Sequence, residues 1–274
     1  MSSPAREGPD AVIFDLDGVL LDSEQVWNEA KQALVEQSGG RWRPEAAVAM
    51  MGMSAPEWSV YLRDELAVPL TVQEINRAVV TRMEQRYRSA LPLLPGAVQA
   101  VRRLAARWPL GLASSSDRPV IELALETAGL TGCFRATVSS EEVARGKPAP
   151  EVYVEAARRL GVDPRRTVAI EDSSNGLRAA AAAGSAVIAV PNQHYPPDPE
   201  ALALAALSFG GVAEIDRAAV ERAYAEASAG RGRRPKASRG ASARISASSR
   251  APNAEGCSPG CRPPPAGGKN LTRS

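Results

Sequence analysis

Five short apolar runs recur along the chain with helical patterns between them, and few folds accept that rhythm. The runs lie at 11–15, 110–114, 136–139, 167–171 and 186–190, with amphipathic stretches at 96–107, 118–128, 150–160 and 174–183. Strands that are apolar on both faces and joined through helices belong to a parallel sheet of βαβ units. The expected class is therefore α/β, with a doubly wound parallel sheet at its centre. Gly129, Gly161 and Gly184 fall where the last three of those helices would end at a left-handed C′ position.

The interval between the first two runs breaks the rhythm. Helical patterns occupy 24–38, 55–66 and 72–89, and Ser54-x-x-Glu57 and Thr71-x-x-Glu74 read as capping boxes. Leu91-Pro-Leu-Leu-Pro-Gly96 then marks a return to the sheet. Residues 22–92 are expected to form a helical cap over the carboxyl edge of a core made of 10–21 and 93–210. A C-terminal helix or linker follows at 211–227.

Composition separates one more segment. Residues 228–274 hold ten Lys/Arg and one acid, whereas residues 1–227 hold 23 basic and 30 acidic side chains. The tail is also rich in Gly, Ser, Pro and Ala and almost without large apolar residues, so it is expected to be disordered. It carries no interleaved aromatics, and no specific nucleic-acid binding is expected. The polar start at 1–10 has no apolar core of a signal peptide, and no run approaches a membrane span. Cys133 stands alone, and Cys257 and Cys261 have no neighbouring His or Cys to complete a zinc site. These features point to the cytoplasm and exclude a disulfide scaffold.

Chemistry gathers where the runs end. Ala11-Val-Ile-Phe14 leads into Asp15-Leu-Asp-Gly18, which delivers two carboxylates, two residues apart, into a glycine turn. Side chains at i and i+2 of an extended chain point the same way, so Asp15 and Asp17 are expected to face one pocket. Adjacent carboxylates repel, and a proton or a cation must relieve them. Ser114, followed by Ser115, ends the second run, and Lys147 precedes a helix start. Glu171-Asp172 ends the fourth run. Taken singly, each has a plain structural reading as a turn residue, a solvated lysine or acids at a helix N-terminus. Ligands of doubly wound sheets bind outside the carboxyl ends of the strands, and there the residues converge. Acids for a divalent metal, with a lysine and hydroxyls for an anion, describe a phosphate-transfer site. His194 is the only histidine, and no GxSxG or HExxH occurs, which sets aside Ser-His-Asp and zinc hydrolysis.

With these residues in order, the chain resembles the haloacid dehalogenase superfamily of phosphohydrolases, in the group with a helical cap after the first strand. The resemblance covers roughly residues 10–210. It implies a Rossmann-like core and Mg²⁺-dependent phosphoryl transfer. Asp15 would be the nucleophile that forms an aspartyl-phosphate, and Asp17 the acid and then the base. Ser114, Ser115 and Lys147 would hold the phosphoryl oxygens. Mg²⁺ would be bound by Asp15, Asp172 and the backbone carbonyl of Asp17, with Glu171 in support.

The cap would set the substrate. Trp27, Met51, Gly52 and Met53 are expected to face it. β-Phosphoglucomutase relatives carry histidine and arginine at the positions that register with Trp27 and Ala55, so phosphatase action on small phosphomonoesters, sugar phosphates above all, is the expected function. A phosphosugar mutase and a non-catalytic protein of the same fold are the alternatives. The expected partner is a small phosphorylated metabolite, with no membrane, and the chain a monomer or homodimer.

Overall fold

A computed structural model describes residues 8–50 and 53–233 of the chain. Its centre is a six-stranded, all-parallel sheet in the order β3-β2-β1-β4-β5-β6. The strands are β1 (Ala11–Phe14), β2 (Leu110–Ser114), β3 (Phe134–Ser139), β4 (Thr167–Glu171), β5 (Ala186–Ala189) and β6 (Leu207–Ser208). Every residue of β1, β2, β4 and β5 is buried, which is why these strands read as unbroken apolar runs.

The pleat divides their side chains between two cores. Val12, Phe14, Leu112 and Ile170 pack into one, while Ile13, Ala113, Ala169 and Val187 pack into the other. Helices α5 (Ala97–Ala105), α6 (Arg118–Thr127) and α10 (Arg217–Arg233) cover the first face, and α7 (Glu151–Leu160), α8 (Ser174–Ala183) and α9 (Pro199–Leu202) cover the second. Gly129, Gly161 and Gly184 all have the positive φ that their positions required.

Between β1 and β2 the chain inserts α1 (Glu24–Gln37), α2 (Ala46–Ala49), α3 (Ala55–Asp64) and α4 (Val72–Ser89). Both expected capping boxes form: the Ser54 and Thr71 backbone N–H groups donate to Glu57 and Glu74 at 2.7 and 2.9 Å. The two connections to the core run side by side. Asp22 N–H donates to the Pro92 carbonyl at 2.8 Å, and Leu94 N–H to that of Leu20 at 2.9 Å. Trp58, Leu62, Ile75, Val79 and Met83 bury the inner faces of α3 and α4.

Four features depart from the sequence expectations. α2, β6 and α9 are short pieces of four, two and four residues, too brief for any period to register. The last helix does not stop before Ser228. It begins at Arg217 and runs to Arg233, so the expected disorder of 228–274 does not hold over its first residues. Ala219, Val220 and Ala223 bury one side of that helix, and Arg231 donates to the Gly184 carbonyl at 2.8 Å, which anchors its far end. The rest of the expected tail lies outside the described residues. Among the described residues, no helix is long and apolar enough to cross a membrane.

One contact joins the insertion to the core through a buried acid. Asn76 on α4 donates to Asp117 Oδ1, at the start of α6, at 2.9 Å, while Asp117 Oδ2 finds no donor. Burial pushes the Asp117 carboxyl up to about 7. Its folded value thus lies above its unfolded one, and the native chain holds an extra proton that it loses as pH rises towards 7. Asp117→Asn should therefore become more stabilising, relative to wild type, between pH 5 and pH 8, by at least about 1 kcal/mol. Urea unfolding at the two pH values measures this, and a pH-independent difference would contradict it.

Candidate active site

β1 is the strand at which the sheet order reverses, with β2 on one side and β4 on the other. The carboxyl ends of these three strands form the crevice where doubly wound folds bind ligands. Asp15 leaves the end of β1, with its N–H still bonded to the Ile170 carbonyl of β4 at 3.0 Å. Glu171 ends β4, and Asp172 follows it.

Lys147 reaches into this edge from the loop before α7. Its Nζ donates to Asp15 Oδ1 at 2.7 Å and to Glu171 Oε1 at 2.5 Å, with all three side chains at most 8% exposed. Tyr153 on α7 donates its hydroxyl to the same Glu171 oxygen at 2.7 Å, and the Asp172 N–H donates to Glu171 Oε2 at 3.0 Å. Glu171 is thus filled by donors on both oxygens and acts as the anchor that holds Lys147. The two carboxylates beside the ammonium keep Lys147 charged well above the usual lysine range, against the opposing effect of burial.

Asp15, Glu171 and Asp172 place one carboxylate oxygen each within 4.8 Å of one another. Burial pushes Asp15 and Asp172 well above the usual carboxylate range, and their neighbouring acids add to the effect. Three buried acids against one lysine are short of positive charge, and an all-oxygen donor set suits a hard divalent cation such as Mg²⁺. The surrounding backbone is fitted closely to the carboxylates. Gly18 has φ +78°, and a Cβ there would lie 1.8 Å from Asp172 Oδ2. At Gly176 a Cβ would meet the Glu171 carboxylate at 1.9 Å. Asn192, beyond β5, steadies Asp172 from the far side by donating to Oδ2 at 3.3 Å.

Asp17 departs from the extended-chain expectation. The backbone turns after β1, and the two aspartates take separate partners although each still lies in the other's field. Asp17 accepts from Ser116 Oγ at 2.6 Å, from Trp27 Nε1 at 3.2 Å and from Ser23 Oγ. Its carboxylate stands outside the metal-spaced triad, which leaves only its backbone carbonyl as a possible ligand from that residue. Asp17 faces the cap, in a cavity that Trp27, Met53, Trp58, Ser115 and Ser116 help to line.

Ser114 is fully buried, and its Oγ accepts the Ser116 N–H at 3.0 Å, while Ser115 and Ser116 border the cavity. The end of β3 braces this serine loop: Ser139 Oγ donates to the Ser116 carbonyl at 2.7 Å, and Ser140 Oγ to that of Ser114 at 3.3 Å. Trp27 does more than form an apolar wall, since its indole N–H binds Asp17. Gly52, and Met51 beside it, lie outside the described residues. Sequence reading assigned no role to Ser23, Ser116, Tyr153 or Asn192. Only Ser116 carried a signal, as the third member of the serine run.

A haloacid dehalogenase-like hydrolase model matches residues 9–184. Hexitol phosphatase B of Escherichia coli is 35% identical over 211 residues, which cover 75% of this chain and 93% of that protein. The bifunctional riboflavin kinase/FMN phosphatase of Arabidopsis thaliana is 32% identical over 194 residues, 70% of this chain and 51% of that relative, so the chain spans about half its length. The crystal structure of CbbY from Rhodobacter sphaeroides in complex with phosphate is similar with a TM-score of 0.70 at 28% identity, over 78% of this chain and 99% of that one. The chain belongs to the haloacid dehalogenase-like hydrolases. Within that family it is a phosphoric monoester hydrolase.

Removing the central cation tests the arrangement. Lys147→Met leaves Asp15 and Glu171 buried without their counter-charge and should cost about 3–5 kcal/mol of stability. Adding Glu171→Gln to that variant should return part of the loss, as thermal or urea unfolding would show. Equal stability of wild type and Lys147→Met would contradict the charge assignment.

Proposed function

We propose that the protein hydrolyses phosphomonoesters of small sugars and polyols through an aspartyl-phosphate on Asp15, with Mg²⁺ as its cation. The observation that carries this reading is the separation of the two aspartates. Asp15 lies in the lysine-bearing acidic cluster, and Asp17 faces the cap cavity under three hydrogen-bond donors. Two carboxylates in unlike surroundings suit two unlike tasks.

In the first step an Asp15 oxygen attacks phosphorus and the ester P–O bond breaks. Asp17 gives its proton to the departing alkoxide. In the second step Asp17 takes a proton from water, whose oxygen attacks phosphorus. The acyl-phosphate P–O bond breaks, inorganic phosphate leaves and the Asp15 carboxylate is restored. Lys147 and the serine loop hold the phosphoryl oxygens, and the indole N–H of Trp27 keeps Asp17 aimed at the cavity. Asp15, Asp172 and the Asp17 backbone carbonyl would hold Mg²⁺, with Glu171 behind, and the ion would screen the charge between nucleophile and phosphate.

Hydrolysis is favoured over isomerisation at the cap. Where the mutase relatives have histidine and arginine, this chain has Trp27, whose only polar atom is already bound to Asp17, and Ala55, which is packed in the core. Neither can grip a second phosphate. The names of the relatives, hexitol phosphatase B and a fructose-1-phosphate phosphatase among them, support a sugar-phosphate substrate.

A panel of phosphorylated metabolites assayed with and without Mg²⁺ tests the reading. Phosphate release should require the metal, and Asp15→Asn should lower it by about 10⁴-fold while the fold persists. With β-glucose 1-phosphate, inorganic phosphate should accumulate without a bisphosphate activator. Glucose 6-phosphate forming faster than phosphate would establish the mutase instead.

A further inference from the structure

Beyond Asp17, the cap side of the cavity holds a cation that the phosphoryl chemistry does not use. Lys31 on α1 is only 7% exposed. Its Nζ lies 5.6 Å from the centre of the Trp27 ring and 5.3 Å from that of Trp58, two indoles that lie against each other with ring centres 6.3 Å apart. Among the described residues no oxygen hydrogen-bonds it and no carboxylate pairs with it. The indole faces offset part of the cost of burying an ammonium, yet they leave its N–H donors without acceptors. Burial lowers its pKa to about 8, opposed by the fields of Glu24 and Asp17.

Those donors border a cavity of about 80 Å³ that Asp17, Glu24, Lys31, Met53, Trp58 and Ser116 help to line. Glu24, Trp27 and Lys31 are spaced by three and four residues, so one face of α1 presents all three to it. Burial also raises the Glu24 carboxyl, with Asp17 adding to the rise. The cavity therefore offers one ammonium against the Glu24 carboxylate and against Asp17, which becomes a second carboxylate on giving its proton to the leaving oxygen. A leaving group with a second phosphate or a carboxylate would gain Lys31 but be repelled by Glu24 at once and by Asp17 as soon as that proton is given up. A neutral polyol meets neither penalty, because its hydroxyl oxygens accept from Lys31 and its hydroxyl protons donate to Glu24.

We propose that Lys31, seated on Trp27 and Trp58, and Glu24 are the specificity-determining pair that brackets the hydroxyls of an uncharged polyol or sugar leaving group and excludes anionic ones. The assignment rests on the phosphatase reading and names the residues that choose its substrate. Neither belongs to the phosphoryl-transfer group itself.

Steady-state kinetics on three substrates test it: mannitol 1-phosphate, acetyl phosphate, which has no hydroxyl to grip, and phosphoglycolate, whose leaving group is anionic. Wild type should prefer mannitol 1-phosphate to phosphoglycolate. Lys31→Met should raise KM for mannitol 1-phosphate and lower its kcat/KM relative to that for acetyl phosphate by about tenfold or more. Glu24→Gln should shift preference towards phosphoglycolate. Should Lys31→Met not fold, as judged by its melting temperature, Lys31→Gln reads the same ratio. Unchanged ratios in the Lys31 and Glu24 variants overturn the assignment and leave the phosphatase standing. So does a wild type that prefers phosphoglycolate and loses that preference in Lys31→Met, since Lys31 would then be an anion site. A wild type that hydrolyses none of the three, with Mg²⁺ present, removes the phosphatase reading and this assignment together.

Discussion

The ammonium of Lys147, buried between Asp15 and Glu171, is the contact on which the catalytic edge depends. It joins the loop before α7 to the ends of β1 and β4, elements far apart in sequence. Charges in such a place are tolerated only when paired and hydrogen-bonded, because the mutual attraction must offset the loss of water. The pairing is made complete at Glu171, where Tyr153 and a backbone N–H occupy what Lys147 leaves open. It is left incomplete at Asp15 and Asp172. That imbalance leaves the edge short of positive charge, with three buried acids spaced as the ligands of a metal ion could be.

From this anchor the roles of the first two aspartates separate. Asp15 is held within the charged cluster by β1 and Lys147. Asp17 is carried out of it by the turn at Gly18, a residue whose missing side chain lets the backbone close against Asp172. A side chain at that point would drive apart the two segments that bring the acids together. The turn therefore gives the two carboxylates unlike surroundings, one beside Lys147 and the other beneath Trp27 and Ser116.

The insertion after β1 completes the site from above. Trp27 serves three neighbours at once: it donates to Asp17, leans on Trp58 and carries part of the charge of Lys31. One indole thus links Asp17 of the core to Trp58 and Lys31 of the insertion. Asn76 and Asp117 form a second bridge between α4 and α6. Side chains from α1 and α3 and the serine loop after β2 line the cavity together.

Much of this was legible in the chain. The five longer strands and seven of the eight longer helices followed from apolar runs and periodicity, and Ser54-x-x-Glu57, Thr71-x-x-Glu74 and the C′ glycines marked helix ends to within a residue or two. Those signals are local, since a cap or an amphipathic face is written within a few turns of its own helix. The acids at 15, 17, 171 and 172 and the lysine at 147 were legible for the same reason, because strand ends are predictable and doubly wound sheets gather them. What the sequence could not state was partnership. That Glu171 clamps Lys147, that Asp17 turns towards Ser116 and Trp27, and that Lys31 lies on two indoles depend on strand order and on how the insertion seats over the sheet. The last helix is held in the same way, by Arg231 reaching the Gly184 carbonyl across the fold. Local geometry is set by neighbours along the chain, whereas the charge and reach of each side chain at the site are set by residues that only packing brings near.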